Sequence, residues 1–554
     1  MAESHHRVQY IITFVFGTAF GAVACFLVWY GNTTWRQLVD DNRIKDRLQR
    51  FTFDNAAVAA DNKICSDIGR DILQGTSTDI AGSAADAAIA AMICTSVVNC
   101  HSSGIGGGHF SVAYNRVSGN VSVVDAREKA PMAAYRDMFK DNPAEAKKGG
   151  LAIAVPGEVK GFYELWKLHG RLEWSSLFEP SIQLARQGFK IGGALAFAIQ
   201  KNEDSIKNNT SLWEIFTDDE GELLKEGDMV KLPRLANTLQ EIAINGTHMS
   251  FYNGRLAATI AEEIRKATPE NKLGLVLADL QSYDISVEQP LRVQYGKLTM
   301  FSPQPPASGA LLSFILNLLE GYYLTPCSKS SNTDCNRPLQ YHRFVEIFKF
   351  AYAGRGDLKD KVDPSITEQL ISKEYADMIR HKITDDRTHL PSYYGEDSLL
   401  GLYEEGGTAH VSVIDQYGNA VAISSSINKY FGSLVLGEDT GIFYNNQMDD
   451  FAFNVTPLPA NIIAPGRRPL SSMVPCILVD NTGQVRVVAG GAGSLSILTA
   501  TALVISNTLW FEDDVFMASD RPRLHYPGRE LYKVTYEEDV TQDIIEGLEE
   551  RDII

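Results

Sequence analysis

The sequence predicts an α/β protein in which a mainly helical middle separates two regions of strands. Two segments, His109–Tyr114 and Val121–Asp125, alternate apolar and polar residues as strands do, with a turn between them. From about residue 151 to about residue 390, the apolar residues recur with the 3.6-residue period of helices. Alternating strands return after Thr408.

Individual elements follow from the same patterns. Ser83–Ile93 is rich in alanine and begins with a serine suited to a helix N-cap. Further helices are predicted at Val159–Leu168, Leu177–Gln187, Arg234–Ile244, Ala257–Lys266 and Ala310–Glu320. Thr408–Asp415 and Ala420–Ser425 are predicted to form a hairpin.

The run Tyr10–Tyr30 is continuously apolar, has aromatic residues at its ends and is long enough to span a bilayer. A signal peptide has a shorter apolar core and a small-residue cleavage site. The sequence therefore predicts a retained signal anchor, with residues 1–9 as a cytoplasmic tail and 31–54 as a stalk. The folded part starts near Asn55.

Sequons and cysteines indicate that the part after the anchor faces the lumen or the cell exterior, as in a single-pass type II membrane protein. Six asparagines lie in Asn-x-Ser/Thr sites: Asn32, Asn120, Asn208, Asn209, Asn245 and Asn454. Two cysteine pairs are disulfide candidates in an oxidising compartment: Cys65 with Cys94, and Cys327 with Cys335. No CxxC or Cys/His spacing for zinc is present, and we predict neither a metal nor a cofactor.

The composition excludes one class of partner. The chain has 554 residues and a net charge of −18, whereas nucleic-acid binding normally needs a basic face. The acidic balance does not exclude an anionic small molecule, because one arginine can dominate a pocket.

Thr408 begins the first strand after the helical region, and Gly406-Gly407 before it follow the segment Ser392–Glu405, which is rich in Tyr, Gly, Asp and Glu. Such an exposed linker is readily cut. If the chain is cut before Thr408, the freed α-amine, with a pKa of about 7.7–8.0, can act as base for the threonine hydroxyl. The alternative is a hairpin strand whose first residue is threonine.

Two other features have more than one interpretation. Arg127, at a strand end near a glycine-rich turn, either clamps a carboxylate or lies on the surface and pairs with Glu128 or Asp125. The glycines of Val487–Ser494 precede a helix, so their N–H groups suit an oxyanion or a carboxylate, although a simple turn explains them equally.

Taken together, the residues resemble the γ-glutamyltransferases (glutathione hydrolases), of the N-terminal-nucleophile hydrolase class. The resemblance extends from about Asn55 to about His525. It is carried by the motifs Gly104–Gly108, Asp125–Glu128, Pro156–Val159, Gly406–Thr408, Ser426–Asn428, Asn445–Phe451, Pro469–Met473 and Pro522–His525. It implies a four-layer αββα sandwich, in which helices enclose two mainly antiparallel sheets.

The resemblance also implies self-cleavage between Gly407 and Thr408. The products would be a large subunit, 55–407, and a small catalytic subunit, 408–554, which form a heterodimer. Thr408 would take the γ-glutamyl group from glutathione or a glutathione S-conjugate. The acyl group would then pass to water or to an amino-acid or dipeptide acceptor.

Residue roles follow from the matched motifs. Ser426 would support the Thr408 hydroxyl, and the N–H groups of Gly493 and Ser494 would form the oxyanion hole. Six side chains would bind the amino-acid head of the substrate: Arg127, Ser471 and Ser472 at its carboxylate, and Asn428, Gln447 and Asp450 at its ammonium group. One cation and one acid suit a zwitterionic ligand.

The chain departs from the family pattern at three places. Ser494 stands where the family commonly has glycine, Gln447 stands where some members carry glutamate, and the chain stops at Ile554. Ser494 and the short C-terminus raise an alternative, a membrane homologue with impaired catalysis that does not mature. A second alternative is a related amidase for another acyl group, against which Arg127 and Asp450 speak.

Overall fold

The computed structural model describes residues 12–15, 53, 55–75, 80–322, 324, 337–395, 406–452, 460–511, 513–526 and 534–554. The helices are α1 Lys63–Gln74, α2 Ala84–Val98, α3 Glu158–His169, α4 Glu179–Gln187, α5 Gly193–Lys201, α6 Glu203–Lys207, α7 Thr210–Phe216, α8 Pro233–Thr247, α9 Arg255–Lys266, α10 Leu277–Ser282, α11 Gly309–Glu320, α12 Arg337–Arg355, α13 Pro364–Ile371, α14 Lys373–Arg380, α15 Pro391–Tyr394, α16 Ser496–Trp510, α17 Val515–Asp520 and α18 Gln542–Glu549. The strands are β1 Ile12–Val15, β2 Ala57–Ala60, β3 Gly108–Tyr114, β4 Val121–Ala126, β5 Phe189–Lys190, β6 Met229–Val230, β7 Ser286–Glu288, β8 Leu291–Tyr295, β9 Leu298–Ser302, β10 Gly406–Ile414, β11 Ala420–Lys429, β12 Cys476–Asp480, β13 Val485–Gly491, β14 Leu524–His525 and β15 Thr535–Tyr536.

The six-stranded sheet holds the predicted hairpin at its centre. Its order is β2-β10-β11-β3-β4-β7, and its neighbouring strands pair antiparallel. Along β10, Ala409, Val411 and Val413 pack into the core under the helices, whereas His410 and Ser412 point to the other side. The alternation predicted from the sequence is therefore confirmed.

The five-stranded sheet has the order β1-β13-β12-β9-β8. Its pairs are antiparallel except that of β1 with β13, which is parallel. Ser412 Oγ donates to the carbonyl of Val488, so β10 of one sheet contacts β13 of the other directly. Further along β13, Gly490 packs against His410, so the turn at Gly493 and Ser494 that follows this strand lies at the Thr408 end of β10.

The two sheets lie face to face between two layers of helices. Valine, isoleucine and alanine side chains of both sheets form the core between them. Helices α2 and α3 cover the outer face of the six-stranded sheet, and α11 and α16 cover the five-stranded one. This is the predicted αββα arrangement.

The prediction of mainly helical structure from about residue 151 to about residue 390 is wrong in one part. Residues 286–302 form β7, β8 and β9 instead of continuing the helices. In β8 the side chains alternate between buried and exposed, a period-two pattern that the sequence carries but that is short enough to be missed beside long helices. At the start of the linker, Tyr394 is buried rather than exposed.

The disulfide Cys65–Cys94 is present, with an S–S distance of 2.01 Å, and joins α1 to α2. Cys327 and Cys335 lie outside the described residues, as do Asn32 and Asn454. The side chains of three sequon asparagines are exposed: Asn120, Asn208 and Asn245. Asn209 is half-buried, and its amide donates to the carbonyl of Leu434 at 2.6 Å.

Of the predicted anchor Tyr10–Tyr30, only Ile12–Val15 is described, and these four residues pair with β13 as strand β1 instead of lying in a helix. The rest of that run lies outside the described residues. Within the described ranges, none of the helices combines the length and the apolar character that crossing a bilayer requires.

Candidate active site

Thr408 lies near the start of β10, at an irregularity of the ladder between Gly407 and Ala409. Its hydroxyl donates to the Gly407 carbonyl at 2.9 Å and lies 3.4 Å from Ser426 Oγ. Ser426, on the neighbouring strand, donates to the same carbonyl at 2.6 Å. Two hydroxyls therefore converge on the carbonyl of the bond that the sequence predicts to be cut.

Small residues before Thr408 allow the chain to approach its neighbours this closely. A Cβ on Gly407 would lie 2.6 Å from the backbone of Ser102 and 2.9 Å from the carbonyl of His101. A Cβ on Gly406 would lie 3.0 Å from the Asn428 carbonyl and 3.4 Å from Ser494 Cβ. Glycine at position 407 is thus a packing requirement, the contacts at Gly406 are tight, and Ser494 lies beside the chain just before the predicted cut.

The turn at Gly493 and Ser494 leads from β13 into α16. Both residues have positive φ, 123° at Gly493 and 55° at Ser494. The left-handed region disfavours a residue with a Cβ, so the serine at this place is strained. Within the described parts of the chain, neither of these two N–H groups has a hydrogen-bond acceptor, as an oxyanion hole requires.

Asn428 connects the nucleophile to the loop that follows β11. Its backbone N–H donates to Ser426 Oγ at 2.8 Å, and its side-chain amide donates to the carbonyl of Asn446 at 3.0 Å. Its φ of 73° lies in the left-handed region, which asparagine tolerates better than most residues. Asn445 holds the loop through its buried amide, which donates to Gly106 and Ala154.

Arg127 is buried, so the alternative of a surface arginine is wrong. Its Nη2 donates to Asp450 Oδ2 at 2.5 Å and to the Leu470 carbonyl at 2.9 Å, while Nε donates to the Pro469 carbonyl at 3.3 Å. Gln447 Nε2 also donates to Asp450 Oδ2, at 2.6 Å. The buried Oε1 of Gln447 has no donor among the described residues and is available to an ammonium group.

Ser471 and Ser472 follow this arginine-binding segment, and both are largely buried. Ser471 Oγ accepts from the Met473 N–H at 3.1 Å. The Ser471 carbonyl accepts from Ser308 Oγ at 2.7 Å and from Arg355 Nη1 at 3.3 Å. Burial lowers the pKa of Arg355. The structure thus adds a second buried cation to the single one expected.

Glu128 adds a second acid. It is fully buried, and its Oε2 lies 3.6 Å from Arg127 Nη1. Neither of its carboxyl oxygens has a hydrogen-bond donor among the described residues. Burial raises the pKa of Glu128 to about 8, which the adjacent Arg127 opposes and the carboxyl groups of Glu158 and Asp450 reinforce.

All ten predicted site residues lie along one connected set of segments, and the structure shows three further contributors. Arg355 is far away in sequence, on a helix rich in aromatic residues, and no local motif marks it. Glu128 directly follows Arg127, but its sequence gives no sign of burial. Asn445 lies within a motif that carries the resemblance, so its spacing from Gln447 was a usable signal.

Among the described residues, the site combines a threonine hydroxyl near the start of a strand, two N–H groups without acceptors at the turn before α16, and a cation in contact with an acid. Two sheets between helix layers, with such a threonine near the start of a central strand, define the class of N-terminal-nucleophile hydrolases. A cephalosporin acylase from Bacillus halodurans superposes with a TM-score of 0.73 at 24% identity, covering 90% of this chain and 88% of that chain. That likeness concerns the fold.

The family is narrower than the class. The family model for gamma-glutamyltranspeptidase matches residues 65–553, and the chain belongs to this family. It is an enzyme of that family. A γ-glutamyltranspeptidase from Helicobacter pylori superposes with a TM-score of 0.54 at 29% identity, covering 61% of this chain and 94% of that one.

Several curated relatives are similar to this chain over most of its length. Glutathione hydrolase 2 from Arabidopsis thaliana is 38% identical over 515 residues, covering 90% of this chain and 85% of its own. Glutathione hydrolase 5 proenzyme from Mus musculus is 38% identical, covering 90% and 86%. Scoloptoxin SSD14 from Scolopendra dehaani is also 38% identical, covering 91% and 88%.

Proposed function

We propose that this protein cleaves the γ-glutamyl amide of glutathione and glutathione S-conjugates through a γ-glutamyl-Thr408 acyl-enzyme. The acyl group passes to water or to an amino-acid or dipeptide acceptor. The observation that carries the proposal is the convergence of Thr408 Oγ1 and Ser426 Oγ on the Gly407 carbonyl. Family membership and the names of the relatives support the choice of substrate.

The first step is self-cleavage. Thr408 Oγ1 attacks the Gly407 carbonyl carbon, and the C–N bond breaks as the hydroxyl proton passes to the nitrogen, which gives an ester and a free α-amine. Water then hydrolyses the ester, leaving a carboxylate on Gly407. The Ser426 hydroxyl stabilises the developing oxyanion, because it already donates to that oxygen at 2.6 Å.

The second step uses the groups that cleavage creates. The new α-amine of Thr408, with an ordinary pKa of about 7.7–8.0, accepts the hydroxyl proton as the oxygen attacks the substrate. The N–H groups of Gly493 and Ser494 receive the oxyanion. The proton then goes to the leaving amine. Water or an acceptor amine next gives a proton to the α-amine and attacks the ester, and the bond from the acyl carbon to Thr408 Oγ1 breaks as Oγ1 takes that proton back.

Substrate selection follows from charge. Arg127 faces the α-carboxylate together with Ser471 and Ser472, while Asp450 and Gln447 face the α-ammonium group with Asn428. Hydrogen bonds run from Ser426 through Asn428 to the loop of Gln447 and Asp450, and from there to Arg127. The amino-acid head is therefore held at a fixed separation from the nucleophile, as efficient attack requires.

We also propose that the protein is a single-pass type II membrane protein whose catalytic part is extracellular and matures into a heterodimer. The apolar run Tyr10–Tyr30, the exposed sequons and the Cys65–Cys94 disulfide support this location. Enzymatic removal of N-glycans should increase gel mobility, and alkaline carbonate should leave the protein in the membrane pellet. Release into the supernatant would contradict the anchor.

One observation favours a second candidate, a homologue that matures poorly. Ser494 occupies the oxyanion turn with a φ of 55°, where glycine would be unstrained. Slow or absent self-cleavage of the wild type, restored by Ser494→Gly, would support that candidate.

The proposed activity is tested with a chromogenic γ-glutamyl anilide. Wild type should release the chromophore and be found as two fragments, whereas Thr408→Ala should stay intact and inactive. Thr238→Ala is a matched control, because Thr238 is also a buried threonine, and its hydroxyl donates to the carbonyl of Thr440, which has no part in the proposed chemistry. Equal activity in wild type and Thr408→Ala would refute the mechanism.

A further inference from the structure

The last turn of helix α12 contacts two parts of the active site at once. Tyr352 is 3% exposed, and its hydroxyl donates to the carbonyl of Leu495 at 2.6 Å. Leu495 directly follows the turn of Gly493 and Ser494. Three residues after Tyr352, Arg355 donates to the carbonyl of Ser471. One helical turn thus reaches both the oxyanion turn and the carboxylate-binding serines.

The Tyr352 contact restrains the turn where it is strained. The Gly493 carbonyl accepts from Ser496 on the other side, so the turn is bonded at both of its ends. The ring of Tyr352 lies edge-on to His525 at 5.9 Å, which fixes the direction of its hydroxyl. A strained turn persists only when its surroundings hold it, and Tyr352 supplies one such hold.

The Arg355 contact holds the other part of the site, the segment of the carboxylate-binding serines. Its Nη1 lies 3.3 Å from the Ser471 carbonyl and 3.4 Å from Ser308 Oγ, which itself donates to that carbonyl. The guanidinium interacts electrostatically with Asp450 and Arg127. Arg355 is 8% exposed, and its Nε and Nη2 have no acceptor within the described ranges. Arg355 therefore holds the Ser471 carbonyl from a largely buried position.

We propose that Tyr352 and Arg355 are positioning residues, Tyr352 for the oxyanion turn and Arg355 for the carboxylate-binding serines. The inference rests on the proposed function. Both residues precede the predicted cut, whereas Leu495 and Ser471 follow it. After cleavage the two contacts become contacts between subunits, so the large subunit sets the geometry of a site whose nucleophile belongs to the small one.

The two roles predict different kinetic changes. Tyr352→Phe removes one oxygen, loosens the oxyanion turn and should lower kcat about 10–100-fold with KM within about twofold, since that turn acts in the transition state. Arg355→Gln should raise KM for the γ-glutamyl anilide about tenfold with kcat within about threefold, because the head-group site acts in binding. Constants are expressed per mole of cleaved small fragment.

Matched controls separate positioning from general loss of stability. Tyr295 is also 3% exposed and donates to a backbone carbonyl, that of Ser313 at 3.1 Å, so Tyr295→Phe removes a comparable hydrogen bond away from the site. Arg380 donates to the carbonyls of Leu318 and Asn317, and Arg380→Gln serves in the same way. Both controls should keep wild-type kcat and KM.

The outcomes are distinguishable. If Tyr352→Phe and Arg355→Gln have the same kcat and KM as their controls, the inference is overturned. An active wild type would still support the proposed function in that case. An inactive but cleaved wild type would overturn both. If Arg355→Gln does not fold, Arg355→Met keeps a long side chain but removes both the charge and the donor to the Ser471 carbonyl, and an unchanged KM in that variant would overturn the role of Arg355.

Discussion

Replacing Ser426 with alanine perturbs the predicted cleavage site without changing the nucleophile. The Ser426 hydroxyl donates to the Gly407 carbonyl at 2.6 Å, accepts from the Asn428 N–H at 2.8 Å and lies 3.4 Å from Thr408 Oγ1. Alanine removes the donor to the scissile carbonyl and leaves the Asn428 N–H without its acceptor. The free energy of unfolding should fall by about 1–3 kcal/mol.

The effect on cleavage should be larger than the effect on folding. Loss of one donor to a developing oxyanion slows acyl chemistry by about 100-fold, equivalent to about 2.7 kcal/mol of barrier. The assay is a time course of precursor and fragments on denaturing gels, with masses confirming the cut, beside thermal unfolding of the uncut chain. Ser426→Thr, which keeps a hydroxyl, should cleave faster than Ser426→Ala.

Ser506→Ala is the matched control. Ser506 is fully buried and donates to the Ala502 carbonyl at 2.6 Å, the same distance as in the pair of Ser426 and Gly407, but inside α16. It should cleave at the wild-type rate. Cleavage of Ser426→Ala at the wild-type rate would refute the role given to the hydroxyl.

Three other substitutions test separate features. Ser494→Gly should raise the free energy of unfolding by about 1 kcal/mol in denaturant titrations, because it relieves a φ of 55°; Ser494→Ala should not, and equal gains would contradict the strain. Arg127→Lys should raise KM for the γ-glutamyl anilide about 100-fold, since lysine lacks the fork that contacts Asp450 and two carbonyls; an unchanged KM would favour an amidase for another acyl group. The folded pKa of Glu128, about 8, exceeds the ordinary value of 4.5, so the folded state holds an extra proton between these pH values. As pH rises from about 5 to about 8, the free energy of unfolding of wild type should therefore fall relative to that of Glu128→Gln, by up to about 1.4 kcal/mol per pH unit. If the melting temperatures of the two proteins change in parallel over this pH range, the raised pKa of Glu128 is contradicted.

Much of the fold was predictable because long elements carry strong periodicity. Helix α2 begins after the predicted cap, Ser83, whose side chain accepts from the Asp86 N–H, and the hairpin of β10 and β11 follows the alternating pattern. The strands β7 to β9 were missed, since they have three to five residues each and lie among helices. Strand order depends on pairing between distant segments, which periodicity alone does not encode.

The site was predictable as far as residue types and motifs reach. Thr408 and Arg127 were candidates from their local sequence, whereas Asp450 was assigned through a motif that carries the resemblance. Arg355 and Glu128 could not, because burial and contacts with distant segments give them their roles. The left-handed conformation of Ser494 is likewise a tertiary property, since serine itself favours no such turn.

The central claim is that Thr408 becomes an N-terminal nucleophile by self-cleavage. The most direct test is to purify the protein from its native membrane and determine the N-terminal residue of the smaller fragment. The account predicts threonine at position 408, with the larger fragment ending at Gly407. An intact chain, or a fragment that begins at another residue, would contradict it.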